Sequence, residues 1–321
     1  MTKRGHPRRG SLQYWPRKRA SRIYPRINWN GIGSERAAPL GFAAWKAGMT
    51  HITFIDNNSK SSTYGKLISK PVTVLDSPSL FVCGIRFYKK THNGYVSIGE
   101  KWIDKVAKDV KLKLGKNSKD GFAEGADDVR LIVATQPAKS GMKKTKSDVF
   151  ELGIGSDDRG KKKEYAESVL GKELNVKDIF RPGDYIDVSA VTKGHGFTGP
   201  VKRFGIRIQT RKDKQMHRHV GSIGPTTPRK MDWRVPAAGQ HGFHTRTEFS
   251  KRIILIDDDS KKVTPKGGFL GYGVVPQSFI VVEGSIPGSR KRLVILRKGF
   301  RTQKFEPIEI KSISLESKQG V

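Results

Sequence analysis

Cysteine and long apolar runs are scarce in this 321-residue sequence. Its one cysteine, Cys83, excludes an intramolecular disulfide framework and favours a reducing cytoplasm. Cys83 stands in an apolar, strand-like run, which predicts a packing role in the core rather than a reactive thiol. No apolar run is long enough to span a bilayer, and the N-terminal residues lack the apolar segment of a secretory signal. The sequence therefore predicts a cytoplasmic protein without a membrane partner.

Acidic residues are also scarce. Asp and Glu number 30 against 62 Lys and Arg, so the formal net charge is +32 and the pI is near 10.3. A charge of this size indicates a polyanionic partner. Nucleic acid is favoured over an anionic membrane surface, because the basic segments lack the apolar helix face that interfacial binding requires. Hydrophobic residues make up only 35% of the chain, which favours a modest core with polar outgrowths.

Regular periodicity is missing from residues 193–247. This segment carries twelve Lys or Arg, two Asp and five of the eight His, and Gly and Pro interrupt it every few residues. Such a segment buries too little apolar area to offset the entropy of ordering it. We therefore expect it to be mobile in the free protein and to be ordered by a polyanion.

Residues 1–38 form a second basic segment, with ten Lys or Arg and a single acid, Glu35. Two Trp and two Tyr are interleaved with prolines, and rings among arginines suit folded RNA, where they stack on exposed bases. A disordered, solubilising tail is the alternative interpretation. The aromatic content favours RNA binding.

The remaining segments predict a mainly β protein. Short apolar runs alternate with turn residues before residue 95 and again after residue 251, at the spacing of a sandwich or barrel. Between them, Trp102, Ile103, Val106 and Val110 recur at helical spacing, residues 129–134 resemble a strand and residues 164–170 a short helix. The predicted organisation is a basic tail (1–38), an N-terminal barrel segment (39–94), an inserted α/β lobe (95–180), a barrel strand (181–193), a central basic extension (194–250) and a C-terminal barrel segment (251–321).

Two patterns could indicate an enzyme or a cofactor site. Residues 194–199 match the dinucleotide pattern G-x-G-x-x-G, but Pro200 and a basic, non-amphipathic run follow, and His219 stands where an acid is expected. The histidine pairs 217/219 and 241/244 lack cysteines nearby and the spacing of zinc motifs. The sequence shows no nucleophile arrangement, catalytic carboxylate pair, cofactor loop or metal site. An RNA-modifying or nucleotide-binding enzyme remains the alternative function.

Five segments carry a family resemblance: GFAAWKAGMTHI, DVSAVTKGHGFTGPVKRFG, AGQHGFHTRTE, TPKGGFLGYG and GSIPGSRKRLVILRK. In this order they resemble protein three of the large ribosomal subunit, in its archaeal and eukaryotic form, over essentially the whole chain. The resemblance implies a closed antiparallel barrel of the translation-protein type, with a tail and an extension that reach into large-subunit ribosomal RNA. It also implies neighbouring ribosomal proteins as partners, and a role in subunit assembly and translation.

The resemblance further implies that Trp233 lies near the tip of the central extension, close to the peptidyl-transferase region. From Gly199 to Trp233 the chain could extend up to roughly 100 Å at about 3.3 Å per residue. One departure from the family is Thr227, where eukaryotic relatives tend to carry His, so contacts of that His are not carried over.

The residues expected to contact RNA are the basic, histidine, tryptophan and amide side chains of the basic segments, together with one lysine of the first apolar run. They are Arg4, Arg8, Arg9, Trp15, Arg17, Lys18, Arg19, Trp29, Lys46, Lys193, His195, Lys202, Arg203, Arg207, Arg211, Lys212, His217, Arg218, His219, Arg229, Lys230, Trp233, Arg234, Gln240, His241, His244 and Arg246. No cofactor, metal or small-molecule substrate is expected.

Overall fold

The structure is a computed structural model that describes residues 7–32, 36–57, 59–103, 125–142, 144–214, 216–227, 229–301 and 308–317. It is mainly β, as predicted, with antiparallel sheets. The chain divides into two compact units. Unit 1 comprises Met1–Ile23 and Val191–Thr245, and unit 2 comprises Tyr24–Ala190 and Arg246–Val321. The described helices include none long and apolar enough to cross a membrane.

A seven-stranded antiparallel sheet is the larger of the two sheets of unit 2. Its strands are β2 (Gly41–Ile55), β3 (Leu67–Asp76), β9 (Tyr185–Val191), β12 (Thr245–Asp257), β13 (Phe279–Glu283), β14 (Leu293–Lys298) and β15 (Glu309–Ile313). The pairing order is β14-β9-β12-β13-β3-β2-β15, and β14 also pairs with β2. Pairings therefore run from β14 through five strands and back to β14. β15 pairs with the distal half of β2, from Ile52 to Ile55.

The strands of this sheet follow from their sequences. In β2 the side chains of Phe42 and Trp45 are fully buried, three of the five residues of β13 are β-branched, and β14 begins with four buried aliphatic residues. A side chain at Gly48 would place its Cβ 2.4 Å from the Phe269 ring, so only glycine admits this close packing.

A second sheet, of six strands, also belongs to unit 2. It contains β1 (Ala38–Pro39), β4 (Leu80–Thr91), β5 (Gly94–Trp102), β6 (Asp128–Thr135), β7 (Val149–Gly155) and β8 (Glu173–Leu174), in the order β1-β7-β6-β4-β5, with β8 on β4. Helix α1 (Arg159–Val169) packs on it, and Asp158 caps the helix by accepting a hydrogen bond from Gly160 N (2.9 Å). The strand predicted at 129–134 and the helix predicted at 164–170 are confirmed. Cys83 is buried on β4, as predicted, and burial raises the pKa of its thiol to about 12.

Three sequence-based expectations for unit 2 are wrong. β4, assigned to the N-terminal barrel segment, pairs with β5, β6 and β8, so residues 80–91 belong to the second sheet although they precede residue 95. Trp102 ends strand β5 instead of beginning a helix, Ile103 follows it outside any helix, and Val106 and Val110 lie outside the described residues. GFLGYGVV (268–275), one of the apolar runs after residue 251 that were predicted as strands, is a turn with a single bridge between Phe269 and Gly273, because Gly268, Gly271 and Gly273 adopt positive φ.

Unit 1 has few regular elements. Among its described residues are a 3₁₀ helix (Leu12–Tyr14), strands β10 (Gly194–Thr198) and β11 (Gly239–Gly242), and helix α2 (Pro200–Phe204). β10 and β11 pair antiparallel. Residues 7–23, predicted to lie in a separate tail, therefore belong to one compact unit with the central extension.

Candidate nucleic-acid interface

Unit 1 concentrates positive charge. It contains 19 Lys or Arg and two acids, Asp213 and Asp232, so it contributes 17 of the 32 net charges. Both acids are engaged locally: Asp213 accepts a hydrogen bond from the Thr210 hydroxyl (3.2 Å) and Asp232 from Arg234 N (2.8 Å). The two acids of this unit therefore leave most of its positive charge without a neutralising carboxylate in the same unit.

The β10–β11 ladder closes the beginning and end of the central extension. At Gly242 the backbone has φ +72°, and a Cβ there would lie 2.0 Å from the Lys193 carbonyl oxygen, so glycine is required. Across this ladder the rings of His195 and His241 lie 4.8 Å apart. Burial, followed by the nearby charge of His195, lowers the pKa of His241. The His241 ring is therefore favoured as a neutral donor or stacker.

Arg203 links the two ends of the extension. It lies on α2, which begins with Pro200 and ends at Gly205 in the left-handed conformation (φ 64°). Its guanidinium donates from Nε to the Gln240 carbonyl (2.9 Å) and from Nη1 to the Ala237 carbonyl (2.8 Å). One side chain thus fixes residues 34 and 37 positions away.

An aromatic cluster joins the N-terminal segment to the extension within unit 1. The Trp15 ring stacks on Phe204, with centroids 6.0 Å apart and planes 10° apart, and meets Trp233 edge-on at 5.5 Å. Gly10 allows this approach, since a Cβ there would lie 2.7 Å from the Phe204 ring. Phe204 is buried, whereas Trp233 remains 52% exposed. Trp233 is thus held by one edge and open on the rest of its ring.

Two guanidinium groups lie on the Phe204 ring. The Cζ atoms of Arg17 and Arg203 are 4.8 and 5.0 Å from its centroid. Burial and the charge of Arg8 lower the pKa of Arg17, and burial and the charge of Arg17 lower the pKa of Arg203. Arg8, Arg17 and Arg203 form no ion pair with a described carboxylate. A phosphate group would supply the counterion that these three like charges lack.

A second set of contacts runs along the same N-terminal segment. Ala20 N donates to the Phe243 carbonyl (2.8 Å), and the Arg19 guanidinium lies 5.6 Å from the Phe243 ring. His244 uses both ring nitrogens: Nε2 accepts from Gly242 N (3.1 Å) and Nδ1 donates to the Lys18 carbonyl (2.9 Å). The pair 241/244 therefore does not present two free metal ligands, and the described residues contain no group of three or more metal-ligating side chains.

The structure sorts the predicted RNA-contacting residues by exposure. Arg4 lies outside the described residues. The exposed ones are Arg8, Arg9, Lys18, Arg19, Lys193, His195, Lys202, Arg207, Arg211, Lys212, His217, Arg218, His219, Arg229, Lys230, Trp233 and Arg234. Half-buried ones are Trp15, Arg17, Arg203, Gln240, His241 and Arg246, the last of which belongs to unit 2.

Three predicted contacts are wrong because the side chains are buried. Trp29 is 5% exposed in the core of unit 2, where the glycines at 41 and 153 leave room for its ring. Lys46 is 8% exposed, and its Nζ donates to the Ile286 (2.6 Å) and Gly288 (3.3 Å) carbonyls. His244 is 7% exposed and bonded as described.

The expectations for the shape of the extension are also corrected. The ring centroid of Trp15 lies 5.5 Å from that of Trp233 and 6.0 Å from that of Phe204 on α2. Trp233 therefore lies close to α2 and not at the far end of an extended arm. Gln209 N donates to the His217 carbonyl (2.9 Å), which marks a chain reversal between them. Contacts within the chain thus hold parts of residues 193–247 together, whereas we expected only a polyanion to do so.

Sequence reasoning missed the phenylalanines of unit 1. Phe197 is 79% exposed beside His195 on β10, which is unusual for a large apolar ring and suits base stacking. Phe204 and Phe243 provide surfaces for arginines. The signal was present in the sequence, because each Phe follows a basic or histidine-containing dipeptide. The dinucleotide pattern at 194–199 lies in antiparallel strand β10 followed by a five-residue helix, not in a strand–turn–helix unit.

A dense basic surface with exposed aromatic rings is typical of a structural RNA-binding protein. Comparison with known proteins gives the particular family. The model of the family described as ribosomal protein L3 matches residues 1–125 and 120–320, so the chain belongs to the ribosomal protein L3 family.

Curated archaeal relatives agree over nearly the whole chain, and each is called large ribosomal subunit protein uL3. The protein from Methanopyrus kandleri is 46% identical over 99% of this chain and 92% of its own length. Those from Methanococcus maripaludis strain C7 and Methanothermobacter thermautotrophicus are 43% and 42% identical, covering 99% and 100% of this chain and the same shares of their own. The chain is a structural, ribosomal-RNA-binding constituent of the large subunit, not an enzyme, and it works in the cytoplasm with the ribosome.

Proposed function

We propose that unit 1 is the region of this protein that enters the ribosomal RNA. Its exposed Arg and Lys side chains bind phosphates, and the exposed rings of Phe197 and Trp233 stack on unpaired bases. The ratio of 19 cationic to two acidic residues carries this proposal. Charge of this density is costly in a free protein and is relieved when phosphates replace counterions.

The Arg17–Arg203 pair on Phe204 is the centre of the proposed interface. Two guanidinium groups on one buried ring, without a described carboxylate, favour a bridging phosphate. The same phosphate would strengthen the attachment of the N-terminal segment to the extension. RNA binding and the final ordering of unit 1 are therefore coupled in this proposal.

We further propose that the ring of strand pairings in unit 2 is the closed barrel expected from the family, with the six-stranded sheet and α1 as its inserted lobe. The return of the pairings from β2 to β14 supports closure. The central extension is proposed to reach toward the peptidyl-transferase region. Family membership and the half-exposed ring of Trp233 support this.

The salt dependence of binding tests the interface. The full-length protein is bound to large-subunit ribosomal RNA at graded salt concentrations, and a slope of log K against log salt on the order of −7 to −9 is expected if about ten basic side chains replace counterions. Replacing Arg207, Arg211 and Arg218 with Ala should reduce the slope by about three.

The matched control removes three exposed lysines of unit 2, Lys89, Lys90 and Lys261, and should leave the slope nearly unchanged. An equal reduction of the slope in both variants would contradict the proposal. Equal affinity of the wild-type protein for duplex DNA and for large-subunit ribosomal RNA would also contradict it.

A further inference from the structure

A basic cleft lies in unit 2, and none of the residues expected to bind RNA lines it. Its volume is about 840 Å³, within the range of about 300–1,000 Å³ typical of ligand sites. Its cationic lining residues are Arg36, Lys177, Arg181, Lys298 and Arg301, and its acidic ones are Asp178 and Asp184. Two tyrosines, at 165 and 185, also line it. The cleft thus combines an excess of positive charge with aromatic side chains.

The acids of the cleft are partly engaged by the backbone. Asp184 Oδ2 accepts a hydrogen bond from Arg181 N (2.7 Å), and Asp178 Oδ2 accepts one from Asn175 N (3.2 Å). Lys177 is paired with Asp258 outside the lining (2.5 Å). Burial lowers the pKa of Lys298, and the charge of the nearby Asp184 opposes this shift. Arg181, Lys298 and Arg301 are therefore the cations suited to an incoming anion.

Two exposed phenylalanines adjoin lining residues of the cleft. Phe300 lies in sequence between the lining residues Gly299 and Arg301, is 55% exposed, and has the Arg297 guanidinium 5.8 Å from its ring. Its backbone N donates to buried Asp187 (3.1 Å), which also pairs with Arg297 (2.7 Å), so the backbone that carries the ring is held in place. Phe249 is 46% exposed, and the Arg301 guanidinium lies 5.4 Å from its ring.

We propose that this cleft binds one unstacked nucleotide of the ribosomal RNA, with its phosphate on Arg181, Lys298 and Arg301 and its base on the ring of Phe300. The inference rests on the chain being a ribosomal-RNA-binding protein and adds a site outside unit 1. Fixed rings beside arginines are what an extruded base requires. An acidic peptide from a neighbouring protein would use the cations but would leave the exposed rings without a role.

Charge removal tests the phosphate contacts. In the full-length protein, Arg181→Ala/Arg301→Ala should reduce the salt slope of binding to large-subunit ribosomal RNA by about two, whereas the control Lys89→Ala/Lys90→Ala should not. Equal slopes for the two double variants would overturn the inference. In that case the interface proposed for unit 1 would stand if the variant lacking Arg207, Arg211 and Arg218 still showed a reduced slope of log K against log salt.

Ring removal and cross-linking test the base contact. Phe300→Leu should weaken binding about tenfold, and Phe300→Trp should keep wild-type affinity because its ring stacks. Ultraviolet cross-linking of assembled subunits should yield a single-nucleotide adduct on the peptide that contains Phe300. Cross-links from this peptide to another ribosomal protein, without an RNA adduct, would overturn the inference in favour of a peptide partner.

Discussion

Replacing Trp15 with Ala should loosen the N-terminal segment from the central extension without unfolding the sheets of unit 2. Trp15 makes the stacked contact with Phe204 and the edge contact with Trp233, and the Arg17 guanidinium lies 5.7 Å from its ring. Each aromatic pair contributes about 0.5–1.5 kcal/mol beyond its buried area, and the cation–π contact about 0.5–1 kcal/mol. Because Trp15 is half-buried, we expect a loss of about 2 kcal/mol.

A loss of about 2 kcal/mol raises the population of the opened segment about 30-fold. Hydrogen exchange on the RNA-free, full-length protein measures this directly. The amide of Ala20, which donates to the Phe243 carbonyl, and that of Arg203, which donates to the Gly199 carbonyl (3.0 Å), should exchange faster by about this factor. Amides of β13 in unit 2 should be unchanged.

Two further variants calibrate the result. Trp233→Ala removes only the edge contact and should accelerate exchange at Ala20 by only about fivefold. Trp15→Phe retains a ring for stacking on Phe204 and should restore most of the protection. Unchanged exchange at Ala20 in Trp15→Ala would refute the view that aromatic packing orders unit 1. It would instead support the sequence-based expectation that the segment is mobile until RNA binds.

Three other predictions concern Asp76, Trp29 and Trp233. Burial raises the pKa of Asp76 to about 6 from its ordinary value of 3.8, so the folded state binds the proton more tightly than the unfolded state. The free energy of unfolding should therefore fall by up to about 3 kcal/mol as the pH rises from about 4 to 6. Denaturant unfolding at pH 4.5 and 7.5 measures this difference, and the Asp76→Asn variant should not show it. Trp29→Ala should cost unit 2 about 3–5 kcal/mol and lower its melting temperature, and an unchanged melting temperature with weakened RNA binding would restore its RNA assignment. Trp233→Ala should leave unit 2 melting unchanged and subunits assembled, while a stacking loss of about 1–3 kcal/mol alters transfer-RNA affinity of the ribosomes; early melting with normal affinity would show that it is a core residue.

Local patterns determined most of the strands. The apolar pattern of GFAAWKAGMTHITFI and the apolar runs at residues 279–283 and 293–298 predict β2, β13 and β14, because hydrophobic pattern and β propensity are properties of neighbouring residues. Charge and composition likewise indicated a nucleic-acid partner, since net charge is additive along the chain. The five family-like segments predicted the family that the comparisons show.

Only the tertiary structure decided which strands pair and which side chains pack against each other. β4 is a buried apolar run like β13 and β14 of the first sheet, yet it pairs with β6, and an apolar run does not encode which strand lies opposite. Trp29 and Trp15 both stand among arginines and prolines, yet the glycines at 41 and 153 admit one to the core of unit 2, while Gly10 and Phe204 hold the other in unit 1. The basic cleft is likewise assembled from Arg181 and Arg301, which are far apart in the chain. Burial and convergence depend on contacts between distant residues, which local residue patterns do not specify.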